Sequence, residues 1–308
     1  MNLKLLQTFA TLADCLHFGV AAQRLCISQP ALTKQIQRLE DSLGAPLFEM
    51  GRHGTTLTAL GHSLNDEAHV LLQQVDTFWL RAQRAAQGHL GRLAIGFGLS
   101  SIELAPKWVA QFRVHFPDVE IVLDDMSSSE QITKLISGDL QLGFIRLPVP
   151  EGLSYFSLQT DQLALASPGK PGARVGFDDV TNEAMIALLP RRGPGLARQI
   201  ARFYELNGAK PKVLQYASDI QTVLSLVAAG AGRAILPLSA ANIAPATVSL
   251  TPLDGDMAAC VWQVGLVWNP GLCHQIRDNF VHRVMNQEGA RNNDYACDTS
   301  GASRAGNN

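Results

Sequence analysis

The sequence predicts an α/β protein in three consecutive parts, and three changes of pattern along its 308 residues predict it. Residues 1–58 hold short helical repeats broken by brief turns. Residues 59–90 hold one uninterrupted helical pattern. From residue 91 onward, short β-rich runs alternate with helical ones, an order that builds α/β domains with mostly parallel sheets.

In the first part, Leu3, Leu6, Phe9, Ala10 and Ala13 recur at helical spacing, and Ala21, Ala22 and Leu25 mark a second short helix. Gly19 stands where a Ser or Thr cap is usual, a weaker start. The third helix lies in ISQPALTKQIQRLED, residues 27–41. Ser28 is placed to accept from first-turn amides, and Pro30 sits where no amide partner is needed. At about 100° per residue Leu32, Ile36, Leu39 and Leu43 form one apolar stripe, so this side is docked on a core. The opposite face is open to two readings, a solvated surface or a surface that reads a ligand. After Pro46, Leu47–Glu49 and Gly51–Thr58 flank a Gly-bounded basic tip and read as a β-hairpin wing.

The second part places Leu60, Leu64, Ala68, Leu71, Val75, Phe78, Ala82 and Ala85 at spacings of 4, 4, 3, 4, 3, 4 and 3. That near-heptad seam is either a lone surface helix or, as we favour, a helix paired between two chains. Gly88 and Gly91 close it.

The third part holds strand candidates at 93–97, 119–123, 140–145, 163–166, 185–189, 234–236 and 261–268, with helical patterns at 103–116, 130–137, 195–207 and 220–229. Its length, and the Pro-rich crossing Leu147-Pro148-Val149-Pro150, predict two subdomains around a cleft: the first about 91–148 with 267–285, the second 149–266. Residues 286–308 are small, polar and aperiodic and are expected to be a disordered tail.

Composition limits the functions. A net charge of −2 provides no bulk field for nucleic acid or membrane, so polyanion binding would need a local patch. Apolar runs are short and the N-terminus lacks a signal-peptide layout, so a cytoplasmic protein without membrane spans is expected. Cys15, Cys26, Cys260, Cys273 and Cys297 form no CxxC pair, which suggests neither a disulfide framework nor a zinc site. No metal or cofactor is expected.

Three segments in order then carry a resemblance. FGVAAQRLCISQPALTKQIQRLEDSLGAPLF (18–48), with the Gly-Arg-His-Gly wing and Leu57-Thr58-Ala59-Leu60-Gly61, resembles the winged helix-turn-helix of LysR-type transcriptional regulators. HFPDVEIVL, LISGDLQLGFI and LSLVAAGAGRAILP resemble that family's effector-binding domain, of the two-lobed design shared with periplasmic binding proteins. The resemblance covers residues 1 to about 285. It implies a DNA-binding regulator without enzymatic activity, whose partners are double-stranded DNA at an interrupted palindrome, a small effector, RNA polymerase, and itself as a dimer of dimers. It sets the third helix in the major groove, with Ser28, Gln29, Pro30, Ala31, Thr33 and Lys34 at the base edges. Chemically, Gln29 suits adenine, Ala31 a thymine methyl, Thr33 either donor or acceptor, and Lys34 guanine or phosphate. Arg38 would anchor to phosphate, and Arg52 and His53 at the wing tip would meet the adjoining backbone or minor groove. Glu49-Met50 replaces the family's common acidic-basic pair, and Gly19-Val20 a more polar helix start.

In the larger domain Ser100 and Ser101 follow the first strand, and Ser127, Ser128 and Ser129 follow the second; free amides and hydroxyls at helix starts make a carboxylate site. Arg146 adds positive charge, and Phe203 is carried over with them. With Pro190-Arg191-Arg192-Gly193-Pro194-Gly195, this pattern most resembles the branch controlling aromatic-compound breakdown, whose effectors are small carboxylates.

Three rivals are weaker. A nicotinamide-dependent oxidoreductase would use Gly96-Phe97-Gly98-Leu99-Ser100-Ser101 as its phosphate loop, but the sixth position is Ser101 rather than Gly or Ala. A solute-binding protein would not begin with a winged helix. A redox sensor of the same family needs a cysteine pair that is missing between Cys26 and Cys260.

Overall fold

The computed structural model describes residues 2–51, 54–170, 175–181, 183 and 185–298, and the chain falls into two compact units, Met1–Arg84 and Ala85–Asn308. The first unit contains α1 (Leu3–Cys15), α2 (Phe18–Arg24), α3 (Gln29–Leu43), a hairpin of β1 (Phe48–Gly51) and β2 (Gly54–Leu57), and the long helix α4 (Ala59–Ala86), whose last residues pass into the second unit. Phe9, Leu12, Ala21, Leu32, Ile36, Leu47 and Ala68 form its buried core.

Local chemistry sets these boundaries. His17, not Gly19, caps α2: its Nδ1 accepts from the Val20 amide at 3.3 Å, so an imidazole does the work expected of a hydroxyl. Ser28 stands at the N-cap of α3 but makes no capping bond, contrary to the role read for it, and its hydroxyl is left free. The α3 stripe is also shorter than its spacing suggests. Leu32 and Ile36 are buried and Leu39 partly so, whereas Leu43 is 46% exposed at the helix end, beyond the reach of the core. The Glu40 carboxylate accepts from the amides of Leu47 (2.7 Å) and Phe48 (3.2 Å), tying α3 to the wing. Thr58 joins wing to α4: its hydroxyl donates to Pro46 O at 2.9 Å and accepts from Gly61 N at 3.0 Å.

On α4, Ala68 is buried and Leu64 packs against the same core. Further along, Leu71 and Phe78 of the heptad seam are exposed, as are Trp79 and Leu80 beside it.

The second unit has one seven-stranded sheet in the order β10 (Val248–Pro252), β6 (Ser154–Pro168), β11 (Val261–Trp268), β5 (Leu142–Arg146), β3 (Gly91–Phe97), β4 (Val119–Asp125), with β9 (Ala234–Pro237) also on β6; β7 (Met185–Leu188) and β8 (Val213–Ala217) form a separate pair. The expectation of mostly parallel sheets is corrected. Within the large sheet only β3 with β4 and β3 with β5 are parallel, while β6 and β11 pair antiparallel with each other and with their other neighbours. The reason is the path of the chain: β6 leaves the first lobe and β11 returns to it alongside, so the two must run oppositely.

Each lobe has its own core. Helices α5 (Leu104–His115), α6 (Ser128–Ser137) and α11 (Gln275–Asp298) serve the first, where Leu93, Ile95, Trp108, Phe112, Phe144, Leu266 and Phe280 are buried. The four-residue helices α7 (Asp178–Thr181) and α10 (Met257–Cys260), with α8 (Pro194–Leu206) and α9 (Ile220–Ala228), serve the second, around Leu163, Leu165, Phe203, Tyr204, Val223, Ile235 and Trp262. Strands β8 and β10 and the first half of β6 were missed in the sequence because polar residues interrupt their apolar runs: Gln215 in β8, Ser249 and Thr251 in β10, Ser157 and Gln159 in β6. The expected disordered tail is corrected in part: α11 continues through residue 298, because a polar stretch without proline can carry a helix past Val284, the last buried residue among the described side chains. Residues 299–308 lie outside the described residues.

Candidate functional sites

The first site is the outer face of α3. Ser28, Gln29, Pro30, Lys34 and Arg38 are exposed, Ala31 and Thr33 partly so, on the side opposite Leu32 and Ile36. No acidic residue stands in the first turn, so the positive end of the helix dipole and its free amides face outward uncompensated, as an anion site requires. Thr33 differs from its expected dual role. Its hydroxyl donates to Gln29 O at 3.1 Å, which leaves it an acceptor and a methyl for any partner. Arg52 and His53 lie outside the described residues.

The second site is a 460 Å³ cleft between the two lobes of the second unit. Turns and helix starts from both lobes converge on it: the 99–101 turn and the start of α6 from one, the starts of α8 and α9 from the other. Of the expected residues, Ser100, Ser101, Ser127, Ser128 and Arg146 line it. Ser129 does not; it is exposed and pairs with Ser127 at 3.0 Å. Phe203 is a correction: it is 1% exposed in the second lobe's core, edge-on to Tyr204 and Phe177, because the apolar face of α8 turns inward.

The hydroxyls of the cleft are not equivalent. Ser101 Oγ donates to Gly98 O (3.0 Å) and accepts from Gly98 N (3.2 Å), so it closes its own turn. Ser127 caps α6 by accepting from Glu130 N at 3.3 Å. Ser100 Oγ instead accepts from Trp262 Nε1 at 3.2 Å, and Ser128 Oγ accepts from the Arg146 amide at 3.4 Å. Each of these two keeps its proton for something in the cleft.

Arg146 completes the floor. Its guanidinium lies 3.6 Å above the Trp262 ring centre and makes no hydrogen bond or ion pair with the described residues. Burial pushes its pKa down to about 10, opposed by the charge of Asp161, so it is still a cation at neutral pH. Asp161 itself is buried and satisfied by Ser239 Oγ (2.8 Å), Ser239 N (3.2 Å) and Gln162 N (2.9 Å). The floor therefore offers only donors: two hydroxyl protons and a guanidinium. Such a set suits an acceptor-only group.

The rim contains residues that the sequence pattern included without giving them a role. Arg191 and Arg192 line it, and Arg192 Nε donates to Ser218 O at 3.2 Å; the Pro-Arg-Arg-Gly-Pro-Gly stretch was the available signal. Asp125 faces them from the other lobe, its carboxyl pushed up by burial and pulled back by Arg192. Asp219 is spent on capping α9, accepting from Thr222 N and Thr222 Oγ1, each at 2.8 Å.

The oxidoreductase reading fails on geometry. Ser101 Oγ donates to Gly98 O and accepts from Gly98 N, so the amide that would meet a phosphate is already bonded within its own turn. Among the described residues no cluster of metal-ligating side chains occurs, and no helix is long and apolar enough to cross a membrane.

A winged helix-turn-helix, a long helix with an exposed apolar seam and a two-lobed domain around a cleft with hydroxyls and a guanidinium on its floor define a ligand-responsive DNA-binding regulator. The chain belongs to the LysR family: residues 3–62 match the bacterial regulatory helix-turn-helix of that family, and residues 86–274 match the LysR substrate binding domain. It is 32% identical over 270 residues to the HTH-type transcriptional regulator AlsR of Bacillus subtilis, covering 86% of this chain and 89% of that protein. To ClcR of Pseudomonas putida it is 31% identical over 274 residues, 85% of this chain and 93% of that one. Among solved structures, full-length CbnR in complex with its target DNA aligns with a TM-score of 0.77 at 26% identity, over 93% of this chain and 99% of that chain. Full-length BenM aligns with a TM-score of 0.53 at 25% identity, over 94% and 98%. The protein is thus a transcriptional regulator with a DNA-binding and an effector-binding domain, and not an enzyme.

Proposed function

We propose that this regulator binds an interrupted palindrome in a promoter and that a small carboxylate in the interlobe cleft changes how it holds or bends that DNA. The donor-only floor formed by Ser100, Ser128 and Arg146 carries the reading, since a carboxylate is acceptor-only and its two oxygens match two hydroxyls and a fork of N–H groups. Ser127 and the start of α6 add the favourable end of a helix dipole. The resemblance of its effector-domain motifs to the aromatic-breakdown branch favours a compound of that kind.

On the DNA side, Ser28, Gln29, Pro30, Ala31 and Thr33 meet base edges, Lys34 reaches guanine or phosphate, Arg38 holds phosphate, and Arg52 and His53 extend the contact from the wing. Pairing through the exposed seam of α4 gives a dimer whose recognition helices lie roughly 34 Å apart, one turn of DNA. Two dimers form a tetramer in the cytoplasm, and the effector shifts the DNA bend toward polymerase contact, activating or repressing according to the promoter. Only a differential affinity for two arrangements can do this.

Ser128→Ala is the test. Operator binding should be intact and the response to effector lost in a reporter assay; a normal response would move the effector out of this cleft.

A further inference from the structure

Next to the cleft floor lies a polar side chain out of reach of any ligand. Gln131 of α6 is fully buried, and it rests on Gly96 of β3 and Gly143 of β5, which face each other in register. A Cβ on Gly96 would lie 2.8 Å from Gln131 Cγ, and one on Gly143 would lie 2.8 Å from its Oε1. Two neighbouring strands thus omit their side chains where this one crosses them. As packing alone the choice is poor: Gln131 Oε1 is buried with no hydrogen-bond partner among the described residues, a cost that methionine, of similar length, would avoid.

What the amide adds is a donor. Gln131 Nε2 bonds Met126 O at 3.1 Å, and the Met126 amide donates to Phe97 O at 2.9 Å, so the link between β4 and α6 is held from both sides. The two residues that follow are Ser127, which caps α6, and Ser128, whose Oγ accepts from the Arg146 amide. At 3.4 Å that last bond is already long, and a small shift of the α6 start would break it.

We infer that Gln131 is a positioning residue for the effector floor: by holding Met126 O it fixes the start of α6, and so sets Ser128 against Arg146. The functional part rests on the reading of this cleft as a carboxylate site. The geometric part stands apart from any ligand.

The test compares the full-length wild type with Gln131→Met, which keeps the length and loses the donor, and Gln131→Glu, which burial keeps protonated and therefore a donor. Hydrogen–deuterium exchange at pH 6 is read at the Arg146 amide, with the Leu93 and Ile95 amides of β3 as internal standards. Gln131→Met should speed exchange at Arg146 about fivefold, the worth of one hydrogen bond, and leave the standards at their wild-type rates; Gln131→Glu should match the wild type. Benzoate is the carboxylate probe, and titration calorimetry should show it bound about fivefold more weakly by Gln131→Met. An unchanged Arg146 rate, a rise shared equally by the standards, a Gln131→Glu variant that behaves like Gln131→Met, or equal benzoate affinities in wild type and Gln131→Met would each overturn the inference. Faster exchange at Arg146 alone, in a protein whose wild type does not bind benzoate, would uphold the positioning and sink the carboxylate reading instead.

Discussion

Trp262 Nε1 donates to Ser100 Oγ across 3.2 Å, joining the core of the second lobe to the ligand turn of the first. The same indole lies beneath the Arg146 guanidinium, and Gln159 Nε2 adds a 2.7 Å bond to Ser100 O. One buried side chain thus orients a hydroxyl and a cation of the cleft at once.

Replacing Trp262 by Phe should therefore separate its two roles. The ring under Arg146 is kept and the N–H is lost, so Ser100 regains a rotor and carboxylate affinity should fall about fivefold, the worth of one oriented hydrogen bond. Trp262→Leu, which also removes the cation–π contact, should weaken it further. Titration calorimetry with a carboxylate that saturates the wild type measures both; equal affinities in all three would dismiss this arrangement.

Lys34 points away from the core at the start of α3. Lys34→Ala should weaken operator binding and lower the slope of log K against log salt by about one. Footprinting and fluorescence anisotropy over a salt series check this. An unchanged slope would remove the residue from the interface.

Gly61 lets α4 approach the wing, because a Cβ there would lie 2.2 Å from Leu47 O. Since the obstacle is backbone, Gly61→Ala should destabilise the DNA-binding unit by about 1–3 kcal/mol. Urea unfolding followed by circular dichroism should show it as a lower midpoint.

His69 on α4 meets Asp14 of α1, its Nε2 at 3.3 Å from one carboxylate oxygen, while Nδ1 bonds Asn65 O at 2.9 Å. The Asn65 carbonyl first, and Asp14 after it, raise the His69 pKa above 6.5. A raised pKa means that folding favours the proton, so the stabilisation is fully present below the unfolded value of about 6.5 and fades as pH rises through the folded one. The stability lost in His69→Gln should accordingly be larger at pH 5.5 than at pH 8. Paired denaturant melts at the two pH values would show the difference, and an equal loss at both would show the imidazole to act through packing alone.

The elements with strong periodicity were legible without coordinates. Leu32 and Ile36 marked the docked side of α3, Leu64 and Ala68 the docked side of α4, and the strand at 93–97 and helix at 220–229 were found close to their observed limits. Periodicity is a local property, set by 3.6 or 2 residues per repeat, so a short window contains it. The sequence by itself also determined the family, because the ordered set of motifs is far more specific than any one of them.

Contacts between distant segments were decided only by the tertiary structure. That β6 and β11 run antiparallel, that Phe203 turns into a core instead of a cleft, and that Ser101 is spent on Gly98 while Ser100 is freed by Trp262 depend on which residues meet across long stretches of chain. A serine at a helix start reads identically in sequence whether its hydroxyl caps, closes a turn or waits for a ligand. Its role is determined by which atom takes its lone pair, and for Ser100 that atom lies 162 residues away.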